Sequence, residues 1–111
     1  MVAGCKAEVV SAFKNAGELQ LVSPQQTTRD IAKESELFIW VSTWLESHQD
    51  GWSSSPASHL PGYIIKGDNF HLNFTETGVV INYKEKNGAS RQFTRSIEFV
   101  DYQFFMKVAG I

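Results

Sequence analysis

The feature that most constrains the fold is an alternation of apolar and polar residues in the second half of the chain. Phe70, Leu72 and Phe74 alternate with polar residues, and the same period returns in two later runs. A β-strand places successive side chains on opposite faces, so the pattern predicts strands with one buried face. The apolar positions of the later runs are Val79, Ile81, Tyr83, Phe93, Ile97 and Phe99. Residues 63–66, followed by a Gly-Asp-Asn turn, predict an earlier fourth strand of the same antiparallel meander.

The turns between these runs predict how the strands pair. Opposed residues in a hairpin share a face, so apolar residues should meet apolar residues. A two-residue loop in the first hairpin sets Phe74 opposite Val79. In the second hairpin a three-residue loop, 87–89, sets Tyr83 opposite Phe93, whereas a two-residue Asn-Gly turn would oppose Tyr83 to a glutamine. We therefore predict the three-residue loop.

The first part of the chain has mostly helical spacing. Residues 3–16 predict a short helix that Gly17 ends, and residues 18–22 predict a brief strand. Residues 28–48 predict the clearest helix, with Thr28 as its N-cap. Its apolar stripe consists of Ile31, Phe38, Val41 and Leu45, widened by Leu37, Trp40 and Trp44. So much apolar surface on one helix implies a sheet packed against it.

The alternation loses its phase near residue 99, where two interpretations stay open. Asp101 followed by Tyr102, Phe105 and Met106, with Gly110 behind them, predicts a short capped C-terminal helix. A bulged strand is the alternative. The predicted fold is α+β: a two-layer domain with N-terminal helices on one face of a roughly four-stranded antiparallel meander.

Length and composition narrow the class of protein. The chain has 111 residues and an apolar fraction of 42%, which predicts a single folded domain over residues 1–111. The net charge of −2 gives no field that attracts nucleic acid. Cys5 is the sole cysteine, so an internal disulfide is excluded.

Localisation has two interpretations. No apolar run approaches the roughly 20 residues that span a bilayer, and no signal peptide is visible, which predicts a cytoplasmic protein. The alternative is a bacterial periplasmic lipoprotein acylated at Cys5, because residues 2–5, Val-Ala-Gly-Cys, are similar to a lipobox. That alternative requires an apolar segment upstream.

A Ser/Pro/Gly-rich segment at residues 51–62 contains the first candidate binding residues. Loops of this length are often functional, and a simple spacer would need neither Trp52 nor His59. We expect both residues to be candidates for contact with a ligand or partner. The alternative is that Trp52 anchors the loop on the core.

Arg95 is the polar residue on the predicted apolar sheet face, where the pairing above sets it opposite Ile81. A guanidinium in that position needs a partner, because burying an unpaired charge is costly. It is either an anion-binding residue or an edge arginine that reaches water or pairs with a carboxylate such as Glu34.

The other face of the predicted sheet is rich in hydrogen-bonding groups, among them His71 and Thr94. Solvent exposure explains such a face, and it also offers a surface for a protein partner or a second subunit. We therefore add His71 and Thr94 to the candidate binding residues. The basic hairpin near them, which includes Lys84 and Arg91, is typical of a solvated hairpin rather than of an acidic-partner site.

Motifs for chemistry are weak throughout. The histidines match no compact zinc spacing, no nucleophile elbow is present, and the glycines form no phosphate-binding loop, so no metal, cofactor or catalytic residue is predicted. We expect a small non-enzymatic protein-binding or accessory domain of bacterial type, comparable to an immunity or inhibitor protein. The alternatives are a small-molecule binder or minor enzyme with a pocket between helix and sheet, and a structural homo-oligomer.

Overall fold

The strands of this protein form one antiparallel sheet in the residues that the structure describes. The structure is a computed structural model, and it describes residues 10, 13–15, 17–54, 62–84 and 88–111. The strands are β1 (Leu19–Val22), β2 (Thr28–Ile31), β3 (Ser53–Ser54), β4 (Tyr63–Lys66), β5 (Phe70–Phe74), β6 (Gly78–Lys84) and β7 (Ser90–Ser96). Their spatial order is β2-β1-β4-β5-β6-β7-β3. The helices are α1 (Glu36–Ser47) and α2 (Phe99–Val108), and residues 13–15 are also helical.

The predicted meander forms the centre of this sheet. Strands β4 to β7 are consecutive neighbours, and β4 has the predicted bounds. In the β5–β6 hairpin Phe74 lies opposite Val79, as the two-residue loop predicts. The fold class α+β is therefore confirmed, although the described residues contribute seven strands to the sheet rather than about four.

The predicted register of the β6–β7 hairpin is wrong by two residues. Tyr83 lies opposite Arg91, Ile81 opposite Phe93 and Lys84 opposite Ser90. A shift of two leaves every side chain on its predicted face, so alternation alone does not detect it. One consequence is that Arg95 faces Val79 instead of Ile81.

The long helix predicted over residues 28–48 is wrong in its first part. Residues 28–31 form β2, an edge strand that pairs with β1 through Leu19 opposite Ile31. The loop between them is closed by hydrogen bonds between Ser23 and Thr27. The helix begins later because Ser35 is its N-cap, with Oγ accepting from the Phe38 N–H at 3.2 Å.

Helix α2 confirms the C-terminal helix and excludes the bulged strand. It begins at Phe99, so Asp101 lies in the first turn instead of at the cap. At its end Gly110 has a φ of 75°, and the N–H groups of residues 110 and 111 donate to the carbonyls of Lys107 and Met106. This is a Schellman motif, which glycine favours because it has no Cβ.

The helices lie on one face of the sheet, where Phe74 is the centre of an aromatic core. Phe105 of α2 stacks on Phe74 at 4.3 Å between ring centroids, and Trp44 of α1 meets it edge-on at 6.0 Å. Phe13 stacks on Phe38 at 4.9 Å and is fully buried. The rest of the helix predicted over residues 3–16 lies mostly outside the described residues.

Candidate functional site

Trp52 is part of the hydrophobic core. Its side chain is 4% exposed and meets the Trp44 ring edge-on at 6.2 Å. Its Nε1 donates to the main-chain carbonyl of His48 at 2.7 Å, which joins the residues after α1 to the start of β3. In this position Trp52 anchors the segment that follows α1, and the ring has little surface left for a partner.

Arg95 lies on the helix-facing side of β7, and the loop after α1 supplies its partners. Nε donates to the Asp50 carbonyl at 2.8 Å, and one terminal nitrogen lies 3.8 Å from the exposed Asp50 carboxylate. The guanidinium carbon is 6.0 Å from the centroid of the Trp44 ring, a cation–π contact. The side chain is therefore fixed by Asp50 and Trp44, and the carboxylate partner is not Glu34.

A polar cluster beside Arg95 links the two helices. Trp44 Nε1 donates to Asp101 Oδ2 at 3.3 Å, and His48 Nε2 lies 4.0 Å from the same oxygen. The His48 ring stacks on Trp44 at 4.4 Å, with Nδ1 placed 2.8 Å from the Trp44 carbonyl. Trp44 therefore connects α1 to α2 through Asp101, and the His48 ring packs against the same indole.

His71 and Thr94 lie on the outer sheet face, which we define as the face turned away from α1 and α2. Their strands are separated by β6, where Asn82 faces His71 and Val80 faces Thr94. The centre of this face is not exposed, because Val80 and Asn73 are only 6% and 8% accessible. The Asn73 side-chain oxygen accepts from the Gly62 N–H at 2.7 Å. The interpretation of a fully solvated face is therefore wrong at its centre.

A surface cleft of about 260 Å³ lies at the end of the sheet that carries the β4–β5 turn. Its lining includes Asp68, His71, Asn82, Lys84, Ser90 and Arg91. The pKa of His71 is lowered from its ordinary 6.5, first by partial burial and then by the positive charge of Lys66. The small-molecule-binder hypothesis required a pocket between helix and sheet. This cleft is a different site, because its lining includes no residue of α1 or α2.

The structure does not bring the predicted binding residues into one site. Trp52 and Arg95 lie on the helix side near Trp44, while His71 and Thr94 lie on the outer sheet face. His59, like Cys5, is outside the described residues. The predictions that these residues bind a ligand or partner stay predictions.

Sequence reasoning missed an exposed apolar surface on α2. Phe99, Val100 and Phe104 are 58%, 52% and 51% exposed, while Phe105 on the opposite side of the helix is fully buried. Val100 and Phe104 are one turn apart, so their side chains are neighbours on the helix surface. We call these three residues the α2 outer face. The available sequence signal for this surface was the pair of adjacent residues Phe104 and Phe105. Adjacent residues point in different directions, so a helix with one buried side seldom buries both.

Known proteins offer no guide to these surfaces. Comparison with protein-family models, curated proteins and solved structures found no match. Across residues 10, 13–15, 17–54, 62–84 and 88–111, no group of three or more histidine, cysteine, aspartate or glutamate residues is placed to hold a metal ion. In those same residues no helix is long and apolar enough to cross a membrane.

Proposed function

We propose that this chain is a non-catalytic protein-binding domain and that the α2 outer face is its binding surface. The observation that carries the proposal is the exposure of Phe99, Val100 and Phe104, each more than half accessible on a helix whose other side is buried. Contiguous exposed apolar residues on a small domain typically mark a protein interaction site.

The chemistry of these side chains fits an interface centre. Aromatic residues are enriched among the few positions that dominate binding energy, and truncating one typically costs about 2 kcal/mol or more. Gln103 and Lys107 of the same helix are also exposed, which suits a polar margin around the apolar residues. The partner would therefore present an apolar patch of its own.

The α2 outer face is a better candidate than the loop that contains Trp52. Trp52 is 4% exposed and hydrogen-bonded to His48, so a partner would have to extract it from the core. Phe104 requires no rearrangement to make contact. Pre-exposed side chains spare a complex the free-energy cost of reorganisation.

Affinity capture with a pair of matched variants tests this proposal. The double variant Val100→Gln/Phe104→Gln removes the apolar side chains and keeps good helix formers, so the fold should be retained. Ile39→Gln is the control, because Ile39 is 56% exposed on α1 and its replacement removes similar apolar surface. We expect a stoichiometric partner with the wild type and Ile39→Gln and none with the double variant.

Sedimentation velocity of the purified protein separates this proposal from the homo-oligomer alternative. If the domain binds a different protein, the wild type should be monomeric at the concentrations at which it captures that partner. A wild-type dimer that dissociates in the Val100→Gln/Phe104→Gln variant would instead assign the α2 outer face to self-association. Equal capture by the wild type and the double variant would contradict the assignment of the α2 outer face as the partner-binding surface.

A further inference from the structure

We propose that the cleft at the β4–β5 turn end of the sheet binds a small molecule bearing a phosphoryl group, held by His71 and Lys84, with Lys66 beside His71. This inference is independent of the protein-binding proposal and uses a different surface. The cleft includes Ser90, the first residue of β7. The α2 helix follows Ser96, the last residue of β7, so the two surfaces lie at opposite ends of this strand.

The strand register places three basic side chains together on the outer sheet face. Lys66 lies directly opposite His71, and His71 lies directly opposite Asn82. Lys84 is two residues beyond Asn82 and therefore points to the same side. Side chains directly opposite begin about 5 Å apart and diagonal ones about 7–8 Å apart, so His71 is a neighbour of both Lys66 and Lys84.

Among the described residues at the cleft, lysine side chains outnumber carboxylates around His71. Asp68 is the acidic lining residue, while Lys84 lines the cleft and Lys66 lies directly opposite the lining residue His71. An anion bound beside His71 would be attracted by both ammonium groups.

The other donors favour a phosphoryl group over a carboxylate. A phosphoryl group carries about two negative charges and three strong acceptor oxygens. Besides the basic side chains, the cleft presents the Asn82 amide and the Ser90 hydroxyl. A carboxylate has one charge and two oxygens, so it would leave part of this donor set unused. The volume of about 260 Å³ is below the range of drug-sized pockets, which suits a small ligand.

His71 supports the proposal through its protonation. Burial and Lys66 lower its pKa in the ligand-free protein. A phosphoryl group placed beside Lys66 and Lys84 would favour the charged imidazole and raise that pKa, as the nearby Asp68 carboxylate also does to a smaller extent. Binding of the anion should therefore shift the titration of His71 towards higher pH.

NMR titration of the intact protein with inorganic phosphate tests the inference, with acetate and chloride at the same ionic strength as references. We expect saturable shifts of the His71, Asn82 and Lys84 resonances with phosphate, and a higher His71 pKa at saturation. Lys84→Gln should weaken binding about tenfold, the cost of one charge-assisted contact. Lys107→Gln, an exposed lysine on α2, should leave binding unchanged.

Non-saturable shifts, or equal binding of acetate, would overturn the inference. So would phosphate binding that Lys84→Gln leaves unchanged. Dispersed amide resonances check the fold of each variant, and Lys66→Gln serves as a second cleft variant should Lys84→Gln unfold. The Val100→Gln/Phe104→Gln variant should bind phosphate normally, so failure here is distinguishable from failure of the protein-binding proposal.

Discussion

Arg95 of β7 donates its Nε hydrogen to the main-chain carbonyl of Asp50 at 2.8 Å, a contact between residues 45 positions apart. The same side chain donates to the Ser96 carbonyl at 3.1 Å and lies over the Trp44 ring. The loop after α1 therefore supplies the hydrogen-bond partner of this charged residue on the helix-facing side of the sheet. In return, Arg95 holds that loop against the end of β7.

Arg95→Ala should destabilise the fold. The change removes the hydrogen bond to the Asp50 carbonyl and the contact with Trp44, so we expect a loss of about 1 kcal/mol in the free energy of unfolding. Arg95→Lys should recover less than half of that loss, because an ammonium lacks the planar array of N–H donors of a guanidinium. Urea unfolding measures both. A loss for Arg95→Ala no larger than for the exposed Lys84→Ala would contradict this role.

Two serines in and beside α1 should respond to alanine with opposite signs. Ser42 is 7% exposed, and its Oγ has no hydrogen-bond partner among the described residues. Ser42→Ala should raise the unfolding free energy by about 0.5–1 kcal/mol, because it removes an unsatisfied hydroxyl and improves helix propensity. Ser35→Ala should lower it by about 1 kcal/mol through loss of the N-cap. Thermal unfolding compares the two, and a loss for Ser42→Ala would show that its hydroxyl is satisfied in solution.

Gly62→Ala should be destabilising for a steric reason. A Cβ at Gly62 would lie 2.3 Å from the carbonyl oxygen of Phe74, whereas one at Gly17 meets nothing within 4 Å. Relieving that overlap moves the backbone of β4 or β5 and weakens the hydrogen bond from Gly62 to Asn73. We expect a cost of about 1–3 kcal/mol for Gly62→Ala and almost none for Gly17→Ala in chemical denaturation. Equal stability of the two variants would contradict the close approach.

His71 should make the protein less stable in mild acid. Its pKa is lower in the folded state than the ordinary 6.5, so the unfolded chain binds more protons between those two values. The free energy of unfolding should therefore fall as pH drops below about 6.5, and this contribution is complete once pH is below the folded pKa. His71→Gln should flatten that part of a urea-unfolding series from about pH 7.5 to about pH 5.5. An unchanged slope in the variant would assign it to other groups.

The alternation of apolar residues predicted the central strands because burial on one face imposes a period of two. It fixed which face Tyr83 and Phe93 share, but a shift of two residues preserves that face, so the sequence did not determine their pairing. Ile31 was misassigned because it is spaced helically from Phe38, yet it belongs to an edge strand paired with Leu19. The spacing of nearby residues contains no information about pairing with another strand.

The candidate surfaces were harder to predict than the strands. Trp52 was open to two interpretations, a binding residue or an anchor of the loop, and only its packing against Trp44 of α1 shows that it is an anchor. Conversely, Phe104 belongs to an apolar cluster that composition assigns to the core. Only the packing of Phe105 on Phe74 decides which side of α2 remains outside.

The most direct test of the protein-binding proposal is site-specific photo-crosslinking in cells. A photoreactive phenylalanine analogue is placed at position 104, with the same analogue at position 39 as the control, because Ile39 is exposed to a similar extent on α1. We predict one discrete adduct at position 104, containing a different protein, and much weaker labelling at position 39. An absence of adducts at position 104, or the same diffuse labelling at both positions, would contradict the assignment of the α2 outer face as a binding surface.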